Sequence, residues 1–78
     1  MEIEWTSRGT VMVRTRGKTL RVAGEALLER DPDFLIYPQY MTHWADGSEL
    51  GDDEKSEILR EVIEAAGERG WKFAVEEA

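Results

Sequence analysis

With 78 residues, 41% of them hydrophobic and 35% charged, the chain has room for one domain, residues 1–78, with a modest core. It has no cysteine, no apolar run long enough to cross a bilayer and no signal-peptide pattern at its start. These absences exclude disulfides and thiolate metal sites, and they favour a cytoplasmic location without a membrane partner. The net charge of −7 combines +3 over residues 1–23 with −10 over residues 24–78. Such a field disfavours nucleic acid and would steer a basic protein towards the acidic part, although a charge of this size also serves solubility.

Three short strands are predicted at the start of the chain. Apolar and polar residues alternate over 2–6, 11–15 and 19–22, which is the period of a half-buried strand, and Arg16-Gly17-Lys18 predicts a tight turn. The exposed face should carry four basic residues: Arg14, Arg16, Lys18 and Arg21. They could meet phosphates as β-ribbon proteins do, but no aromatic residue is interleaved with them. A solvated face, or ion pairs with the acidic helix, is the favoured interpretation.

The middle of the chain predicts a helical turn and then a buried strand. Residues 24–30 are too few for an independent helix and predict one or two turns over a sheet edge. Residues 34–37 are apolar on both faces, so the strand they form should be central or covered. Pro38 cannot donate to a ladder and should mark the exit of this strand.

The last third of the chain predicts one helix and one strand. Apolar residues from Ile58 to Ala66 recur at helical spacing, and Gly70 is well placed just past the helix end. Alternation over residues 71–75 predicts the final strand. The fold class is therefore α+β: an antiparallel meander sheet of about five strands packed on one main C-terminal helix, in the order β-β-β-(short helical turn)-β-α-β.

The chain lacks the side chains that catalytic and metal sites assemble. His43 is the only histidine, so no zinc centre can form from this chain alone. Residues 46–57 have the length of a calcium loop, but Leu50 stands where an oxygen ligand is required. His43 with Asp46 and Tyr40 could form an acid–base group, yet a domain this small seldom seals such a group from water. We predict no enzymatic activity, no metal ion and no cofactor.

A recognition surface is the strongest functional signal. Residues 34–44 hold four of the seven aromatic residues, and Tyr and Trp rings offer large contact area with a polar handle. The predicted partner-binding residues are Tyr37, Tyr40, His43 and Trp44, with Asp46, Glu49, Asp52 and Asp53 supplying complementary charge. The alternative left open is that the rings close the core where helix meets sheet.

The partner of such a surface is a different protein or a second copy of the chain. In the second case the aromatic residues would pair with themselves across a twofold axis. We expect a monomer or a weak homodimer.

Several stretches resemble one protein family. They are SRGTVMVR at 7–14, GKTLRVAGEAL at 17–27, FLIY at 34–37, WADG at 44–47 and the closing helix with GWKFAV at 70–75. Together they resemble the immunity protein 74 family of bacterial polymorphic toxin systems over nearly the whole chain. The resemblance implies a small α+β protein that is encoded beside a toxin and neutralises it by binding.

Overall fold

The computed structural model describes residues 1–27 and 32–76. Within these residues the chain forms five strands, one turn of 3-10 helix and one α-helix. Their bounds are β1 (Glu2–Ser7), β2 (Thr10–Thr15), β3 (Lys18–Ala26), β4 (Phe34–Ile36), the 3-10 turn (Pro38–Tyr40), α1 (Asp52–Glu68) and β5 (Phe73–Val75).

The strands form one mixed sheet, in the order β1-β2-β3-β4-β5. The first three pairings are antiparallel and the pairing of β4 with β5 is parallel. The last pair is parallel because α1 carries the chain back before β5 begins, and parallel neighbours need such a crossover. The prediction of an α+β fold with about five strands and one main C-terminal helix is confirmed, and the parallel last pair is its one departure from a meander.

The turn between β2 and β3 is a two-residue hairpin at the predicted place. Arg16 and Gly17 have φ values of 56° and 72°, the two positive values that a type I′ turn requires. Arginine adopts such a φ only with backbone strain. The guanidinium of Arg16 donates to both carboxylate oxygens of Glu61 on α1, at 2.7 and 3.3 Å. This contact lowers the pKa of Glu61 and ties the hairpin to the helix.

The prediction of a helical turn over residues 24–30 is wrong for its first three residues, which extend β3 and pair with β4. A Cβ on Gly24 would strike the carbonyl oxygen of Leu35 and approach the ring of Phe34 to 2.7 Å. Only glycine allows this close approach, so strand pairing overrides the weak helical tendency. Residues 28–30 of the predicted turn lie outside the described residues.

Aromatic rings join the two ends of the sheet. Trp5 of the edge strand β1 makes edge-to-face contacts with Phe34, Trp71 and Phe73, with ring centroids 5.3, 5.7 and 5.5 Å apart. Phe34 belongs to β4 and Phe73 to β5, so the sheet curls until its first strand meets its last. Phe34 also contacts Phe73, with ring centroids 5.3 Å apart, and is fully buried. We call these four rings the ring cluster.

Helix α1 packs one apolar stripe against the sheet. Ile58, Val62 and Ala66 follow at intervals of four residues and are fully buried. The helix ends where the N–H of Trp71 donates to the carbonyl oxygen of Ala66 at 2.9 Å. Gly70, with a φ of 79°, provides the left-handed residue that this ending requires, just past the helix as predicted.

Candidate functional site

The segment that follows β4 turns sharply and lies along the free edge of β3. Pro38 opens the 3-10 turn, where its fixed φ fits and its missing N–H leaves no bond unmade. The N–H of Tyr37 donates to the carbonyl oxygen of Ala23 at 2.9 Å, and the N–H of Ala45 to that of Thr19 at 2.8 Å. The segment therefore provides hydrogen-bond donors to backbone carbonyl groups of β3 that do not pair with β4.

Residues 42–50 fold into a small hairpin. The N–H of Trp44 donates to the carbonyl oxygen of Ser48 at 2.8 Å, and His43 faces Glu49 across an isolated bridge. Alternate side chains of a strand point to opposite faces. Trp44 is accordingly buried, whereas His43 and Glu49 are exposed side by side on the outer face.

Trp44 lies almost entirely in the core. Only 3% of the residue is exposed, and its indole N–H donates to the carboxylate of Glu54 in the first turn of α1 at 3.2 Å. The Nζ atom of Lys18 lies 5.4 Å from the ring centroid, in range of a cation–π contact. Of the two interpretations left open for Trp44, its burial supports core closure.

Tyr40 has the opposite environment. It is 66% exposed, and Met1 is the only other large hydrophobic residue that is exposed in the described part of the chain. Its ring meets the ring of Tyr37 edge to face, with centroids 6.3 Å apart. The hydroxyl of Tyr37 donates to Glu25 at 2.7 Å, and this bond to a carboxylate raises the pKa of Tyr37. Tyr40 thus projects from a proline-started turn, beside a ring that is itself held in place.

The predicted acidic residues also differ in environment. Asp46 accepts bonds from the hydroxyl and the N–H of Ser48 at 2.6 and 2.8 Å, and these bonds lower the pKa of Asp46. Its other oxygen lies 3.9 Å from the Nζ atom of Lys18, so Asp46 stabilises its own hairpin. The three other acidic residues are exposed and form no ion pair within residues 1–27 and 32–76: Glu49, Asp52 and Asp53.

An open groove of about 440 Å³ lies between β3 and the segment that follows β4. Arg21 and Ala23 of β3 form one side, and residues 40 and 42–45 line the other. Three of the predicted partner-binding residues belong to this lining: the exposed Tyr40 and His43 and the nearly buried Trp44.

Arg21 differs from the other three basic residues of the first strands. Arg14 lies 3.9 Å from Glu2, while Arg16 and Lys18 have the partners on α1 and in the hairpin already described. These pairs agree with the favoured interpretation of a solvated, internally paired basic face. Arg21 is exposed, and its side chain has no ion pair or hydrogen bond within the described ranges. No local sequence signal separates Arg21 from the others, because their partners come from distant parts of the chain.

The described residues contain neither a metal-binding cluster nor a membrane-spanning helix. Nowhere in 1–27 or 32–76 do three or more His, Cys, Asp or Glu residues come together in a group that could hold a metal ion. No helix in these ranges is both long and apolar enough to cross a membrane.

Comparison with known proteins gives one family. The family model described as Immunity protein 74 matches residues 2–76, nearly the whole chain. No curated protein and no solved structure matches the chain significantly. The match covers every strand and the helix described above, as well as the groove and the hairpin. The chain therefore belongs to the immunity protein 74 family.

Proposed function

We propose that this chain neutralises a toxin domain in the cytoplasm by binding it directly, without catalysis. The family assignment supports the class of partner, since immunity proteins generally act by binding a toxin protein. The observation that carries the proposed binding surface is Tyr40, a large aromatic side chain left 66% exposed on a folded turn.

The setting of Tyr40 suits a binding anchor. A tyrosine ring loses little conformational entropy on binding and offers both apolar area and a hydroxyl group. The ring of Tyr37 is held by its hydrogen bond to Glu25 and contacts the ring of Tyr40. This contact limits the conformations of the Tyr40 ring before a partner binds. Such preorganisation raises affinity because less ordering remains to be done when the complex forms.

The acidic residues outside the hairpin supply the charge of the proposed surface. Glu49 lies opposite His43, and Asp52 and Asp53 occupy the exposed first turn of α1. Exposed charges of this kind mainly raise the rate of association and select among partners. Trp44 and Asp46 are excluded from the proposed surface, because the core and the hairpin already engage them.

The test begins with a toxin domain identified among the genes that neighbour this one. We expect the purified complete chain to bind that domain and to suppress its toxicity when both are expressed. Tyr40→Ala should weaken the complex by about 30-fold or more, the effect of losing an aromatic hot spot. Titration calorimetry measures the affinity, and cell survival measures protection.

Gln39→Ala is the matched control, since Gln39 is an exposed neighbour in the same turn. It should leave affinity unchanged, and thermal unfolding should show that both variants are folded. Absence of binding by the wild-type chain would contradict the proposal. Concentration-dependent dimerisation that Tyr40→Ala abolishes, seen by sedimentation, would instead assign the surface to self-association.

A further inference from the structure

The groove beside Tyr40 is basic on a protein whose net charge is −7. Its lining includes Arg21 and His43 but no aspartate or glutamate. The small side chains of Ala23 and Ala45 leave room between these polar groups, and the groove holds about 440 Å³. That volume is large enough for one side chain of a partner and its neighbours.

The guanidinium of Arg21 is available for a new contact. Met12 lies opposite Arg21 on β2 and offers no carboxylate. Glu25, the acid further along β3, accepts the hydroxyl bond of Tyr37 at 2.7 Å. Arg21 itself makes no ion pair within the part of the chain that the structure describes.

His43 and Thr42 add further polar groups to the same groove. The Nδ1 atom of His43 lies 3.0 Å from the hydroxyl oxygen of Thr42, a contact that orients the imidazole ring. Its other ring nitrogen has no hydrogen bond within residues 1–27 and 32–76. The groove therefore combines a forked cationic donor, an imidazole nitrogen and the exposed ring of Tyr40.

We infer that this groove receives an acidic side chain, aspartate or glutamate, from the protein that the chain neutralises. A planar guanidinium pairs with a carboxylate through two parallel hydrogen bonds, which gives strength and fixed orientation. The ring of Tyr40 packs against the residues beside that carboxylate. This inference rests on the proposed function and names the partner chemistry at its surface.

The position of Glu49 gives the arrangement its specificity. Glu49 lies opposite His43 on the outer face of the hairpin, so an acidic group stands next to the basic groove. A partner must then present an acidic residue to Arg21 and a basic or polar one to Glu49. Two signs of charge side by side fix the register of a complex, because a shifted partner meets like charges.

A single carboxylate fits the groove better than a nucleic-acid phosphate does. The chain's net charge of −7 repels every phosphate of a nucleic acid. A single acidic side chain on a protein partner is repelled much less. Neighbouring Arg14, Arg16 and Lys18 have acidic partners, so no continuous basic track leads away from Arg21. The occupant proposed is therefore a protein side chain.

The test compares two arginines on one face of the sheet. The toxin domain that serves in the binding test of the wild-type chain is titrated into the complete chain carrying Arg21→Glu, Arg21→Gln or Arg14→Glu. Arg14 serves as the matched control because it is also exposed but pairs with Glu2. We expect Arg21→Glu to weaken the complex by about 30-fold or more and Arg14→Glu by less than about threefold. The loss of affinity caused by Arg21→Gln should lie between these two values. Thermal unfolding should show that all three variants are folded.

A charge exchange then identifies the carboxylate. Each aspartate and glutamate on the surface of the toxin domain is changed to lysine, and we expect one change to restore binding by Arg21→Glu. If Arg21→Glu binds as tightly as the wild type while Tyr40→Ala does not, the inference fails and the proposed function stands. If the wild-type chain does not bind the toxin domain, the proposed function itself fails. Wild-type binding of a single-stranded oligonucleotide that Arg21→Glu abolishes would assign the groove to phosphate and overturn the inference.

Discussion

The aromatic residues of this chain occupy two regions with different consequences. In the ring cluster, Trp5 contacts Phe34, Trp71 and Phe73, all of which lie far from it in sequence. After β4, Tyr40 contacts only the nearby ring of Tyr37 among the described aromatic residues and stays 66% exposed. Aromatic content alone therefore does not distinguish packing from recognition. The contacts that a ring makes across the chain do.

The largest difference should appear when one ring is removed from each region. Phe34→Ala should lower the free energy of unfolding by about 3–5 kcal/mol, because it leaves a cavity among packed rings. Tyr40→Ala should change it by less than about 0.5 kcal/mol, since an exposed side chain is lost. Denaturant unfolding of both variants measures the difference. Equal losses of unfolding free energy would contradict the claim that one ring is packed in the core and the other is not.

The close approach beneath Phe34 gives a second, smaller effect. Gly24→Ala should destabilise the protein by about 1–3 kcal/mol, because the new methyl group meets the Phe34 ring and the carbonyl oxygen of Leu35. Gly67→Ala is the matched control, since nothing lies within 4 Å of its added Cβ in the helix. That change should instead stabilise the helix by about 0.5–1 kcal/mol. Thermal melts of the two variants should move in opposite directions.

Trp44 sharpens the comparison because it lies in the second region of the sequence but in the core of the protein. Trp44→Phe removes the hydrogen bond to Glu54 and some buried volume, so it should cost about 1–2 kcal/mol of unfolding free energy. Affinity for the toxin domain should not change when it is measured well below the melting temperature. Glu54→Gln, which keeps an oxygen acceptor, is the control and should have a smaller effect. A loss of affinity without a loss of stability would show that Trp44 takes part in binding the partner.

The smallest effect concerns the ring that holds Tyr40. The hydroxyl of Tyr37 donates to Glu25 only while it is protonated, so the folded protein raises the pKa of Tyr37. The stability gained from this bond is present below the pKa of an unfolded tyrosine and is lost as the pH rises through the higher folded value. In a Tyr40→Phe background Tyr37 is the only tyrosine, and an alkaline absorbance titration reports its pKa directly. Glu25→Gln should lower that pKa towards the ordinary value, and an unchanged titration would show that Glu25 does not hold the ring.

Local patterns predicted most of the fold. Alternation predicted β1, β2 and the first half of β3, and the tight turn was expected at Arg16-Gly17-Lys18, where the structure has it. The apolar stripe from Ile58 to Ala66 placed α1, and Gly70 marked its end. These features depend on residues within a few positions of one another.

The rest depended on contacts between distant residues. Residues 24–26 form strand because Phe34 and its neighbours pair with them. Trp44 is buried because its hairpin folds back towards Lys18 and Glu54. Arg21 differs from Arg14 because Glu2 lies near the Arg14 side chain, whereas no acidic residue of 1–27 or 32–76 pairs with Arg21. Neither the hydropathy pattern nor the order of charged residues along the chain indicates these long-range contacts.

The placement of Trp5 has a consequence for how the protein is made. Its indole contacts Trp71 and Phe73, residues near the other end of the sequence, so synthesis from the first residue produces Trp5 long before those contacts exist. Joining segments this far apart is entropically expensive and slow, and the apolar ring remains in water meanwhile. A polypeptide interrupted before residue 71 would lack two of the three rings that contact Trp5 and would be prone to aggregation or degradation. Folding of this sheet is thus complete only after Trp71 and Phe73 have been synthesised.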